Sequence, residues 1–427
     1  MPLGQDPPET SASQPTKAAA VDDAPLEFNP FLPEMRADPY PLYHRLRSQD
    51  PVHQSFPGVW ILTRYADCVA VLRDPDRFSN DSRNSDLYQA FRAARGREPT
   101  IMEDTAGRTM LFIDPPDHTR LRNLVNKVFT ARRIEALRPH IREIVKGLLD
   151  GIEASGKDNF DLVNEVAYPL PVTVICEMLG VPSRDWDQFH RWSSALVVTL
   201  DPVMSDEVLG PANEAALAFA DYFTGLLADR RARPRDDLLT AMIAAEDRGE
   251  RLTERELLAM CILLLIAGHE TTVNLIGNGM LALLRNRDQL ERLAENPSLM
   301  KSAVEEFLRF DSPVQFLGRT LMEDVELGGR DIRKGEQVVP VIGAANRDPA
   351  QFPDPDTLDI GRPDIRHLSF GGGIHFCLGA PLARAEGQIA ISELVARFPK
   401  LELATDTFER RETVTLRGLK SLPVAVG

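Results

Sequence analysis

Apolar and polar positions follow two periods along this chain, and the helical one dominates. Leu121, Leu124, Val125 and Val128 recur at i, i+3, i+4 and i+7, one apolar stripe of a helix that Pro115-Pro116-Asp117 would start. The same periodicity predicts helices over 131–152, 164–179, 184–200, 211–231, 236–246, 254–285, 298–310 and 380–397. Bulky β-formers in 52–56 and 59–63 flank Pro57-Gly58 and predict a hairpin. Strand signals return between Arg319 and Val341 and again from Thr413 to the end. Between them, 346–369 is rich in Pro and Asp and has no periodicity; an irregular stretch that long usually carries function. Residues 1–25 hold five prolines among Ser, Thr, Ala and acids, too little apolar surface to order, and are expected to be a disordered tail. The pattern is mainly α with a minor β part.

Composition narrows the function classes. Forty-nine basic against 64 acidic residues leave a net charge of −15, which argues against nucleic acid or an anionic membrane as partner. No basic-then-apolar leader opens the chain, and its longest apolar run, 257–268, is shorter than the roughly 20 residues a bilayer needs. A soluble protein of a reducing compartment, the cytoplasm, is the expectation. Of the four cysteines, Cys68, Cys176 and Cys261 lie in apolar runs and read as small buried hydrophobes, and no C-x-x-C pair is present.

Cys377 is different. It follows Phe370-Gly371-Gly372-Gly373-Ile374-His375-Phe376 and precedes Leu378-Gly379-Ala380-Pro381. The glycines let the backbone curl around one sulfur, and a helix beginning at Ala380 points its positive end there, which favours a thiolate. Such a sulfur suits metal ligation or nucleophilic attack. A second signal lies inside 254–285, opened by the capping box Thr253-Glu254-Arg255-Glu256. At 1.5 Å per residue that helix is about 45 Å long. Ala267-Gly268-His269-Glu270-Thr271-Thr272 interrupts its apolar surface, where hydroxyls can bend a helix and an acid beside an alcohol can move protons. A third is Glu306-Phe307-Leu308-Arg309, opposite charges at i, i+3.

These residues, in this order, resemble the cytochrome P-450 family from about Asn29 to Gly427. The resemblance implies one large mainly helical domain over 26–427, overriding the prior of about three units that the length suggests. It makes Cys377 the axial ligand of a haem b iron, with Phe370 and Gly379 beside the sulfur, a ligation that favours O–O cleavage. Ala267 and Gly268 would line the space above the iron, with Glu270 and Thr271 as the oxygen-activating acid–alcohol pair. His118, Arg122, Arg319 and His375 would hold the propionates, and Glu306, Arg309 and Arg362 would form a structural triad fixing the 346–369 meander. The implied reaction is insertion of one atom of O2 into a C–H bond of a hydrophobic small molecule, as in bacterial secondary metabolism. Electrons would come from a ferredoxin and its NAD(P)H-dependent reductase, docking where Arg120, Lys127, Arg132 and Arg133 offer positive charge. A peroxide-driven or oxidative-coupling enzyme and a silent haem module are alternatives on the same fold, and a Cys377–His375 hydrolase is one outside it. Selectivity is expected from 80–110, 201–211, 313–317 and 415–418, with Val314, Phe316 and Leu317 as an apolar wall.

Overall fold

The computed structural model describes residues 26–96, 109–201 and 206–427; the expected tail and parts of the first two selectivity stretches lie outside them. A 32-residue helix, Glu254–Arg285, threads the centre. It starts as expected: Thr253 Oγ1 accepts from the Glu256 amide at 3.3 Å and Glu256 Oε2 from the Thr253 amide at 2.8 Å. This central helix packs on Pro169–Met178, Trp186–Val197, Met300–Phe310 and Ala380–Arg397. Its apolar stretch is longer than the sequence run suggested. The helix continues past the polar turn, and Thr272, Asn274 and Asn278 are taken inside. Among the described residues it is the one helix long and apolar enough to cross a bilayer, yet 78% of its most apolar window is buried in the protein. That makes it a core helix.

Six expected helices form nearly as read, at Asp117–Asn126, Ala131–Ala154, Leu238–Ala244, Glu254–Arg285, Met300–Phe310 and Ala380–Arg397. Others shift for local reasons. Over 164–179 a π-helical turn, Val163–Ala167, gives way to Pro169–Met178, because Pro169 has no amide to continue the ladder. Pro211, the expected start of one helix, instead lies inside Asp206–Ala232. Short helices at Tyr40–Gln49, Tyr65–Arg73, Asp86–Arg95 and Arg287–Glu295 were not expected.

The expected hairpin, Val52–Phe56 and Val59–Leu62, is the edge of a five-stranded sheet. Gln337–Pro340 runs parallel to its second strand, with Val338 opposite Trp60, and antiparallel to Arg319–Leu321. The C-terminal segment corrects the sequence reading: only Pro423–Val426 is a strand there, and 413–419 makes single bridges, Val314 with Leu416 and Arg410 with Leu419. The reason is Asp201. Its carboxylate takes the amides of Val414 at 3.1 Å and Thr415 at 2.8 Å, diverting donors that a ladder would need. Nearby, buried Asp311 accepts from Arg417 at 2.7 Å, Arg410 at 3.1 Å and the Tyr40 hydroxyl at 2.8 Å, joining the first helices to the last segment.

Residues 346–369 contain no helix or strand, as expected. A buried ionic knot holds them. Glu306 and Arg309 are both fully buried and pair at 2.7 and 2.8 Å, and Arg362 Nε lies 3.2 and 3.3 Å from the two Glu306 oxygens. Arg309 also donates to the carbonyls of Asn346, Pro355 and Thr357, and the Asp359 amide donates to Glu306 at 3.0 Å. The expected triad is therefore assembled, gripping the chain just before the cysteine loop.

Candidate active site

The cysteine loop folds because its glycines permit it. Gly371 and Gly373 have φ of +70° and +63°, and a Cβ on Gly373 would sit 2.4 Å from the Leu72 carbonyl oxygen, so no other residue fits there. The Cys377 amide donates to the Phe370 carbonyl at 2.9 Å, turning the sulfur back over the start of Ala380–Arg397. Phe370 is buried beneath the Arg384 guanidinium, 4.5 Å from its centroid. Gly379 lies beside the sulfur, where a Cβ would make an ordinary contact with it at 3.8 Å.

Cys68, Cys176 and Cys261 are buried and unpaired as read, and Cys377 alone is partly accessible. Its thiol corrects one expectation. Burial pushes its pKa up; the Gly379 and Ala380 amides, Arg122 and Arg384 pull it down without winning. The helix end and glycine turn do not by themselves make a thiolate. A cation bound at this sulfur would add to the groups that already favour the thiolate.

Four predicted donors converge beside the sulfur from three elements. His118 and Arg122 come from Asp117–Asn126, Arg319 from the first residue of its strand, and His375 from the loop. The rings of His118 and His375 lie 4.2 Å apart, and His118 Nδ1 and Nε2 and His375 Nε2 have no partner despite burial. Burial first, then His118, Arg319 and Arg122, hold the His375 pKa down to about 3. Burial likewise lowers Arg319 to about 10, its nearest acid being Asp114. Arg319 bonds only the Gly318 carbonyl, at 2.7 Å, and Arg122 the Phe376 carbonyl, at 2.6 Å. A buried Arg319, a half-buried Arg122 and unsatisfied imidazoles call for anionic acceptors, and two carboxylates on a group bound at the sulfur fit that need.

The central helix crosses Ala380–Arg397 next to this cluster. Where it passes, nearly every residue is buried, but Leu263, Ala267 and Thr271, spaced by four, are not, and Gly268 is half-covered. That stripe is the floor of an opening in an otherwise packed core. Thr271 Oγ1 donates to the Ala267 carbonyl at 3.0 Å, and Thr272 Oγ1 to that of Gly268 at 3.4 Å, so both hydroxyls bond back within a helix that continues unbroken.

Glu270 points the other way. It is 1% exposed, and Arg411 Nη1 donates to its Oε1 at 3.1 Å, with His269 Nε2 at 3.4 Å. Burial raises its pKa, but His269 and then Arg411 outweigh that and keep it a carboxylate. His269 is itself held by Ser193 at 2.9 Å and the Leu265 carbonyl at 3.0 Å. Sequence reasoning missed Arg411 and Ser193. Neither stands in a motif, and only the C-terminal segment's path over the core brings Arg411 to Glu270.

The basic residues expected to attract an acidic partner are largely engaged. Arg120 pairs with Glu256 and Glu250, Lys127 with Asp247 at 2.7 Å and Arg133 with Asp236 at 3.3 Å. Of the four, Arg132 alone has no ionic partner among the described residues. In the expected apolar wall, Phe316 packs edge-on against Phe28, 5.8 Å away in a separate cluster under the sheet, and so contributes to the core.

Comparison with known proteins follows this geometry. Residues 44–415 match the family described as Cytochrome P450. The chain is 49% identical over 397 residues to a vitamin D(3) 25-hydroxylase of Pseudonocardia autotrophica, covering 91% of this chain and 94% of that protein. The structure of the bacillaene polyketide synthase cytochrome P450 PksS from Bacillus subtilis superposes with a TM-score of 0.85 at 41% identity, covering 94% of this chain and all of that one. P450BioI, solved in complex with a hexadec-9Z-enoic acid ligated acyl carrier protein, gives 0.84 at 40% identity over 92% of this chain and 99% of that one.

Proposed function

Since the chain belongs to the cytochrome P450 family, haem monooxygenases of hydrophobic small molecules, we propose that Cys377 would ligate the haem iron and that His118, Arg122, Arg319 and His375 would hold the propionates. The observation that supports this assignment is the cluster of donors short of acceptors, His118, His375, Arg319 and Arg122, beside the Cys377 sulfur. When bound, haem supplies reductive activation of O2. The protein's own part is then to seat that group, exclude water and direct protons. Phe370 and Gly379 shape the sulfur's side, Ala267 and Gly268 the opposite side, and the Glu306–Arg309–Arg362 knot fixes the loop that presents Cys377.

Thr271 is the hydroxyl on the uncovered stripe, and Glu270, on the far side of the same turn, is the acid that connects it to the interior. Thr271 can exchange its bond to the Ala267 carbonyl for one into the opening, and the ionised Glu270 would relay to it protons taken up from the solvent side. Thr271→Ala should still consume NAD(P)H with substrate present but form several-fold less product per NAD(P)H. Unchanged coupling would refute the assignment. The ligand is tested separately: the reduced carbon monoxide adduct should show the red shift of trans-thiolate coordination, and lose it in Cys377→His.

The substrate we infer is a polycyclic or macrocyclic molecule of steroid or polyketide size. Leu263, Ala267 and Val314 offer apolar contact, and the similarity to a vitamin D(3) 25-hydroxylase and to a polyketide synthase P450 supports a molecule of this size. Its electrons come from a ferredoxin and reductase in the cytoplasm, at the face near Cys377, with Arg132 rather than the engaged Arg120, Lys127 and Arg133 as the basic contribution. Titrating the ferric protein with such compounds and reading the spin shift on water displacement tests the substrate class.

A further inference from the structure

A cleft between Pro33–Ala37, Tyr40–Gln49 and the 410–418 segment collects charge that no role described so far uses. It is open to solvent, and its free space of about 350 Å³ is ample for one acidic group with its water. Arg36, Arg410, Arg411 and Arg417 all line it, and no Asp or Glu does. The protein as a whole carries −15, so four guanidiniums around one cleft reverse the sign of its average surface.

Two carboxylates answer these four cations; both are buried and neither lines the cleft. Asp311 takes Arg417 at 2.7 Å and Arg410 at 3.1 Å, and Glu270 takes Arg411 at 3.1 Å. The half-buried Arg36 guanidinium has no hydrogen bond or ion pair among the described residues. Glu412 feels its charge but bonds Lys420 instead, at 3.1 Å. Donors are left over as well. Arg411 spends Nε on the Leu419 carbonyl and Nη1 on Glu270, while Arg410 spends Nη1 on Asn278 and Nη2 on Asp311. Arg411 Nη2, Arg410 Nε and the whole Arg36 fork remain for another acceptor. The like charges also press on one another: burial lowers the Arg410 pKa, Asp311 opposes that, and Arg417 adds to it. An anion relieves such a surplus, and planar guanidinium forks suit the paired oxygens of a carboxylate or phosphate.

We propose that this cleft binds the carboxylate or phosphate group of a small acidic molecule, with Arg36 as its main fork and Arg410 and Arg411 completing the site. Leu416, which also lines the cleft, bridges Val314 of the apolar wall, so an acid seated here keeps its apolar part beside that wall. The hydrophobic substrate inferred above is thereby expected to carry an acidic end. That step rests on the reading of the chain as a monooxygenase of such molecules. A free inorganic anion offers the same chemistry, and the experiment separates the two sources.

Calorimetric titration of the haem-loaded ferric protein with inorganic phosphate reads the cleft without turnover. Phosphate should bind the wild type and bind Arg36→Gln about ten-fold more weakly, the loss of one charge-assisted pairing. Arg36→Lys, which keeps the charge but not the fork, should fall between them. The spin shift produced by a steroid carboxylic acid, set against that of its methyl ester, identifies the source. If the group belongs to the substrate, the acid binds about ten-fold more tightly than the ester in wild type, equally in Arg36→Gln, and phosphate competes with it. If a free anion is the ligand, phosphate binds while acid and ester do not differ, which removes the acidic end from the substrate. Arg184→Gln, an exposed charge elsewhere, should leave both titrations unchanged. Titrations that Arg36→Gln leaves as they were, or that Arg184→Gln changes as much, overturn the proposal. Failure of the parent reading looks different: no compound of this class shifts the spin state, while phosphate still binds.

Discussion

Glu306→Gln is the sharpest test of what holds the cysteine loop in place. Glutamine keeps the shape and one acceptor but removes the charge and turns an amide toward Arg309. In the folded protein Glu306 receives Arg309 at 2.7 and 2.8 Å, Arg362 at 3.2 and 3.3 Å and the Asp359 amide at 3.0 Å, with both Glu306 and Arg309 out of water. The substitution therefore strands a buried guanidinium, which costs about 3–5 kcal/mol. Against a total stability of about 5–15 kcal/mol, that is a large share. The loss should begin in the meander, because Arg309 and Arg362 also carry the carbonyls of residues 353–357. In urea titrations of the variant, haem absorbance should disappear before far-ultraviolet circular dichroism changes, and both midpoints should fall. Arg362→Lys, which keeps a charge but loses the fork, should lose about 1–2 kcal/mol. A Glu306→Gln protein within about 1 kcal/mol of wild type that retains haem equally well would refute the view of this knot as the loop's anchor.

Gly373→Ala should fail to retain haem while keeping most of its helical dichroism, since its Cβ would meet the Leu72 carbonyl at 2.4 Å from a backbone at φ +63°; normal haem content would show that the loop can reshape. Glu305 gives a pH signature. Burial alone would raise its pKa, but bonds from Arg384 and His367 bring it down to about 2. A carboxylate depressed in the folded state stabilises fully above its unfolded value near 4.5, and that stability is lost as pH falls toward 2. Acid unfolding of Glu305→Gln should consequently be shallower over that window, and an unchanged slope would show that the ion pair contributes nothing.

Local chemistry made much of this molecule readable in its sequence. The central helix announces itself through Thr253 and Glu256, and the cysteine loop through glycines that its backbone angles demand. The donors near Cys377 were readable as residues, but their convergence is tertiary: His118 and His375 are 257 positions apart in sequence yet 4.2 Å apart in space. What escaped was what depends on a partner from elsewhere in the chain. Arg411 looks like any surface arginine until the C-terminal segment lies over Glu270, and Glu386 looks like a solvated helix residue until its face turns inward. Arg120, Lys127 and Arg133 failed for the same reason in reverse, because sequence shows charge but not its neutralising neighbour. The thiolate expectation weighed dipole and turn but not burial, which wins at Cys377.

The stretch 410–417 ties together things usually described apart. Arg411 grips Glu270, Val414 and Thr415 are fastened to Asp201, and Arg410 and Arg417 are pinned to Asp311. Asp201 follows Trp186–Val197 and its short 3-10 turn, and that helix and Asp206–Ala232 both pack on the central helix. A ligand that pushes this segment outward hauls on the same cord that steadies the acid, so a molecule of the wrong girth disturbs proton supply without ever touching Glu270. Fit and fidelity share one tether.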